Sequence, residues 1–87
     1  MARHEKTLLQ VLRGASDANI PFEDLCALLR HLGFDELVRS SHHIFTKESV
    51  EEILNLQPRE AKAKPYQVKQ VRAVILRHRM AGESDEK

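Results

Sequence analysis

Apolar side chains recur at helical spacing near both ends of the chain and at shorter spacing between them. Residues 4–13 carry Leu8, Leu9, Val11 and Leu12, and Gly14 follows where a helix would terminate. Residues 15–19 (ASDAN) form a turn-rich link. The clearest element comes next. Phe22, Leu25, Cys26, Leu28, Leu29 and Leu32 follow i, i+3, i+4, i+7 spacing and predict an amphipathic helix. Pro21 suits its first turn, Glu23 and Asp24 complement the positive end of its dipole, and Gly33 suits its C-terminal cap.

After Gly33 the period changes. Residues 34–40 and 41–46 hold short apolar and β-branched stretches that predict two strands, with a turn at 47–49. Residues 49–56 read two ways. Ser49-Val50-Glu51-Glu52 has the form of a capping box and predicts a helix, whereas residues 52–56 (EILNL) would serve equally as a third strand. A last helix should begin at Pro65, whose fixed φ suits the first helical position, and run to Met80. Val68, Val71, Val74 and Ile75 lie on one side of it, and Lys69, Arg72 and Arg79 follow the other as a stripe. Gly82 falls at or just beyond its end. No internal repeat is visible.

At 87 residues the chain has room for one small domain over 1–87, with a helix and link at 1–20, a core at 21–80 and a disordered tail at 81–87. Four aromatics (Phe22, Phe34, Phe45, Tyr66) and no Trp argue against a base-stacking platform. The longest apolar runs are far short of the ~20 residues that span a bilayer, so no membrane helix or secretory segment is expected. A lone cysteine, Cys26, excludes an internal disulfide framework, fits the reducing cytoplasm and reads as a small core side chain.

The net charge of +1 conceals an uneven distribution. Residues 1–58 carry six basic and nine acidic side chains, residues 59–79 seven basic and only Glu60, and residues 81–87 three acids and one Lys. A block of +6 beside a body of −3 is a candidate electrostatic footprint for phosphate. A solvated helix face would look the same.

Candidate chemistry is sparse. His42 and His43 are neighbours in a predicted strand, so their rings face opposite ways and cannot chelate one ion together. Cys26 and His31 are five apart on a helix, which misses the alignment of a ligand pair. No CxxC or HExxH spacing occurs, and no metal site is expected. Ser41 and His42 are adjacent but lack a third triad member, and no phosphate-cradling glycine loop is present. What remains is one imidazole and a basic helix. An imidazole serves as base or acid near neutral pH, and RNA supplies its own nucleophile in the 2′-hydroxyl. The bland alternative has one of the two histidines on the strand surface and the other packed on the sheet.

The stretch 28–46 (LLRHLGFDELVRSSHHIFT), continued by 52–58 (EILNLQP) and 64–72 (KPYQVKQVR), resembles the HicA family, the small toxins of bacterial HicA–HicB toxin–antitoxin modules. The likeness covers residues 22 to 79, and the N-terminal helix looks like the extra helix of a longer subgroup. It implies an α+β, double-stranded-RNA-binding-domain-like fold: helix, three-stranded antiparallel sheet, helix. On that pattern residues 52–56 are the third strand. It also implies a ribosome-independent endoribonuclease that cuts mRNA without metal or cofactor and is inhibited by a HicB-like antitoxin. The family's Gly-Ser/Thr-His motif reads Ser40-Ser41-His42 here, so His42 would be catalytic and Ser41 would supply the hydroxyl. Ser40 replaces the family's glycine, which either takes a φ that a side chain resists or lets RNA approach. Arg59-Glu60-Ala61 likewise stands where a glycine-containing loop is expected.

The leading expectation is therefore an endoribonuclease toxin on single-stranded mRNA. In it His42 acts on the 2′-hydroxyl and Lys62, Lys64, Lys69 and Arg72 hold the backbone. A second reading keeps the fold and RNA binding without catalysis, the Ser40 departure favouring it. A third makes residues 22–32 and 65–80 a helix-turn-helix DNA binder, although that motif joins its helices by only three or four residues.

Overall fold

Gly33 turns the chain out of its clearest helix and into a sheet. In the computed structural model, which describes residues 3–79, that helix (α2) spans Phe22–His31. It ends with Gly33 at φ +97°. The Gly33 N–H bonds to the Arg30 carbonyl at 3.0 Å and the Phe34 N–H to the Leu29 carbonyl at 3.0 Å. This pair of bonds is a Schellman cap, and its Phe34 and Leu29 are both buried in the core. α1 spans Arg3–Arg13, and a single 3₁₀ turn at Asp17–Asn19 follows in the link. The last helix, α3, begins at Pro65 as expected and ends at Arg77.

Between α2 and α3 lie β1 (Asp35–Arg39), β2 (His42–Lys47) and β3 (Val50–Leu56), an antiparallel sheet in the order β1-β2-β3. Thus the described residues form an α+β domain with three helices and a three-stranded sheet. The capping-box signal at Ser49–Glu52 does not make a helix. Glu48 and Ser49 instead turn β2 into β3, with Lys47 opposite Val50. A side-chain cap contributes only about 1 kcal/mol, whereas the strand buries Val50, Leu54 and Leu56 against the helices. Burial wins. With the whole sheet between α2 and α3, the helix-turn-helix reading fails.

The pleat divides the sheet. Phe45, Leu54 and Leu56 point into a core shared with Val11 of α1, Leu25, Leu28 and Leu29 of α2, and Val68, Val71 and Ile75 of α3. On the opposite face Leu37, Ile53, Asn55 and His42 stay exposed, with Ile44 partly covered. No helix among the described residues is long and apolar enough to cross a membrane. The expected tail at 81–87 and Gly82 lie outside the described residues.

One element had no sequence signal. β4 (Pro58–Arg59) and β5 (Lys62–Ala63) form a small hairpin. Its turn residues, Glu60 and Ala61, sit at φ +53° and +69° where glycine or asparagine would be at ease. The hairpin is stitched to the start of α2: the Phe22 N–H bonds to the Ala61 carbonyl and the Ala63 N–H to the Ile20 carbonyl, both at 2.9 Å. This seam brings the starts of α2 and α3 together.

Two ion pairs lock the outer helices. Arg72 of α3 donates to the Val11 carbonyl at 2.9 Å and to both oxygens of Asp17 at 3.0 and 3.2 Å. At the far end of α3, Arg77 and His78 donate to the two oxygens of Glu52 at 2.6 and 2.9 Å. The His78 bond, then the Arg77 bond, draws the Glu52 carboxyl down from 4.5 to about 2. A carboxyl held below its ordinary value stabilises the fold above that value and loses the contribution as pH falls toward the lowered one. Glu52→Gln should therefore be less stable than the parent at neutral pH. Its stability should fall less between pH 4.5 and about 2, as read from denaturant unfolding at a series of pH values.

Candidate functional site

His42 is the first residue of β2, and the two-residue turn Ser40-Ser41 delivers it to the exposed face of the sheet. Ser40 has φ +55°, a backbone conformation that glycine takes without strain and L side chains resist. Ser40 bears that strain. The His42 Nδ1 lies 3.0 Å from the Asn55 side-chain oxygen. Asn55 pairs with Ile44 in the β2–β3 ladder. It thus shares the open face with His42 and reaches the ring on the diagonal.

Ser41 is held from the same side. The Gln57 amide donates to the Ser41 hydroxyl at 2.9 Å, and the Lys64 ammonium donates to the Gln57 amide oxygen at 3.4 Å. Gln57 is itself gripped from below by Gln67, a buried amide in the first turns of α3. With its amide turned to suit both groups, Gln67 donates to the Gln57 carbonyl at 3.2 Å and accepts from the Gln57 N–H at 3.1 Å. The structure therefore links Ser41 to Lys64 through Gln57, which Gln67 anchors, and pairs the neighbouring His42 with Asn55. Sequence reading missed these three amides. The available signal was the two-residue spacing of Asn55 and Gln57, one inside the third strand and one just past its end.

The remaining cationic residues divide. Lys62 sits on β5 and donates to the Asn19 side-chain oxygen at 3.5 Å, leaving its ammonium largely in water. Lys69 is exposed on α3. Arg72 differs from them. Its side chain is only 20% exposed, and its guanidinium is committed to Asp17 and the Val11 carbonyl. The basic stripe is broken at its middle, and Arg79 lies past the helix end at φ +53°.

His43 faces the other way, as the pleat requires. Its Nδ1 donates to Glu36 at 2.7 Å, Glu36 also accepts from Arg30 at 2.7 Å, and the ring meets Phe22 edge-on at 4.9 Å. The Arg30 bond leads in holding the Glu36 carboxyl low, with the His43 bond adding to it against the opposing effect of burial. Cys26, Glu36 and His43, from three different elements, bring donor atoms within 4.8 Å of one another beside a 310 Å³ cleft. Local spacing could not show this cluster. Burial and the neighbouring Glu36 charge push the Cys26 thiol up to about 12. An ion there would have to displace that proton and compete with Arg30 for Glu36. The cluster is accounted for as a hydrogen-bonded support for the sheet.

No family model, curated protein or solved structure matches this chain.

The strain at Ser40 is testable. A left-handed backbone costs an L residue roughly 1–2 kcal/mol, and glycine gives back about 0.5–1 kcal/mol in chain entropy. Ser40→Gly should be more stable by about 0.5–1 kcal/mol, raising the melting temperature by a few degrees in a domain of this size. An unchanged or lower melting temperature would contradict the strain.

Proposed function

We propose that the chain is a metal-independent endoribonuclease of the HicA type, with the helix–sheet–helix core serving as a double-stranded-RNA-binding-domain-like scaffold. The observation that carries this reading is the exposed His42 ring, bonded through Nδ1 to Asn55 beside a clamped Ser41 and Lys64. His42 takes the proton of a 2′-hydroxyl, and the freed oxygen attacks the adjacent phosphorus. The 5′-oxygen leaves with a proton returned by the imidazolium, and a 2′,3′-cyclic phosphate remains. Ser41 contributes a hydroxyl to the phosphate. Lys62, Lys64 and Lys69 hold the backbone, and Arg72 leaves the set because Asp17 already neutralises it.

The substrate is single-stranded mRNA in the cytoplasm, and the protein partner is a HicB-like antitoxin. Leu37 and Ile53 support such a partner: both are more than half exposed on the His42 face, so a protein covering them would also cover the ring. A second reading, RNA binding without cleavage, draws on the neutral amide that is the side-chain partner of His42. No acid or second imidazole is bonded to that ring among the described residues.

Cleavage of single-stranded RNA should persist in EDTA and vanish in His42→Ala with the melting temperature retained. Equal activity in that variant would overturn the assignment, and RNA retained without breakdown by the parent would favour the second reading. Binding should weaken with salt. Three phosphate contacts give a slope of log K against log salt near −2, from about −0.7 per contact on single strands. Arg72→Ala should leave that slope unchanged while lowering stability, and Lys64→Ala should make it shallower by about one contact.

A further inference from the structure

We infer that Asn55 is the positioning residue of the His42 site, fixing the ring as its Nδ1–H tautomer so that the proton-accepting lone pair lies on Nε2. The consequence for rate rests on the cleavage reading above; the geometry does not.

A side-chain amide oxygen accepts hydrogen bonds and cannot donate them. At 3.0 Å from the Asn55 oxygen, Nδ1 must carry the hydrogen. A neutral imidazole has one N–H, so the other nitrogen holds the lone pair. Asn55 is placed for this by the ladder: it pairs with Ile44, which leaves its side chain diagonal to His42 on the open face. Rotation of the ring is restrained at Nδ1, and rotation of the turn is restrained at Ser41 by Gln57. An amide near the end of β3 and one just past it thus hold two successive residues, His42 at the start of β2 and Ser41 in the turn before it.

The choice of an amide has a physical reason. A carboxylate would fix the same tautomer, but its charge would sit where an RNA phosphate must approach and would repel it. Asparagine orients the ring without that charge. Reversal of the Asn55 amide would place an N–H against the ring and force the opposite tautomer, so the two arrangements make opposite predictions.

The test is nitrogen NMR of histidine-labelled protein, with cleavage kinetics on the same samples. The parent should show His42 as the Nδ1–H tautomer. Asn55→Ala should lose that preference, and Asn55→Asp, which keeps an acceptor oxygen, should retain it. Asn55 is exposed, so both substitutions leave the core intact. Asn55→Ala should lower kcat at least tenfold with KM unchanged, since misplacement of about 1 Å costs on the order of a hundredfold. An Nε2–H tautomer in the parent would overturn the inference, and so would an Asn55→Ala protein with parental tautomer and kcat. If the parent cleaves no RNA, the proposed function fails and the tautomer measurement alone decides the role of Asn55.

Discussion

A buried amide governs how this chain leaves its sheet. Gln67 is 1% exposed and pairs with both backbone groups of Gln57 at the point where β3 gives way to the small β4–β5 hairpin. An amide removed from water without partners costs roughly 2–7 kcal/mol, so the two residues are not free to separate. The pairing ties the bend after Leu56 to the first turns of α3. It also aims the Gln57 side chain across the sheet end toward Ser41 and Lys64. The seam between residues 20–22 and the hairpin closes the same corner from the other side.

Strand alternation gives the two neighbouring histidines different environments. His43 lies on the helix side of the sheet with Glu36, Arg30, Phe22 and Cys26 around it, where its bond to a carboxylate contributes to packing. His42 lies on the water side with a neutral amide as partner. A single residue of register separates a supporting ring from an accessible one. The thiol beneath, raised to about 12, behaves as an apolar side chain rather than a reactive one.

Charge follows the same rule that position outweighs count. Residues 59–79 carry seven basic side chains, but Arg72 is matched by Asp17 and Arg77 by Glu52. Both pairs tie α3 to other parts of the fold. The cations that remain toward solvent near the Ser41-Gln57 corner begin with Lys64, and Lys62 and Lys69 extend from the hairpin and the helix. A basic block in sequence is thus divided between mechanical and electrostatic work.

Periodicity determined the three helices, the first two strands and the opposite faces of His42 and His43, while the backbone preferences of glycine and proline marked the cap at Gly33 and the start of α3 at Pro65. These depend on residues close in sequence, where helix and strand geometry leave few choices. At residues 49–56 local signals conflicted, and cross-strand pairing with burial of Val50, Leu54 and Leu56 decided for the strand. The β4–β5 hairpin, the inward turn of Arg72, the Cys26–Glu36–His43 cluster and the Asn55–Gln57 clamp were decided by tertiary structure only. Each joins residues on different elements, up to 61 positions apart for Arg72 and Val11. No periodicity along the chain encodes such a meeting, because it is made by the packing of the core beneath it.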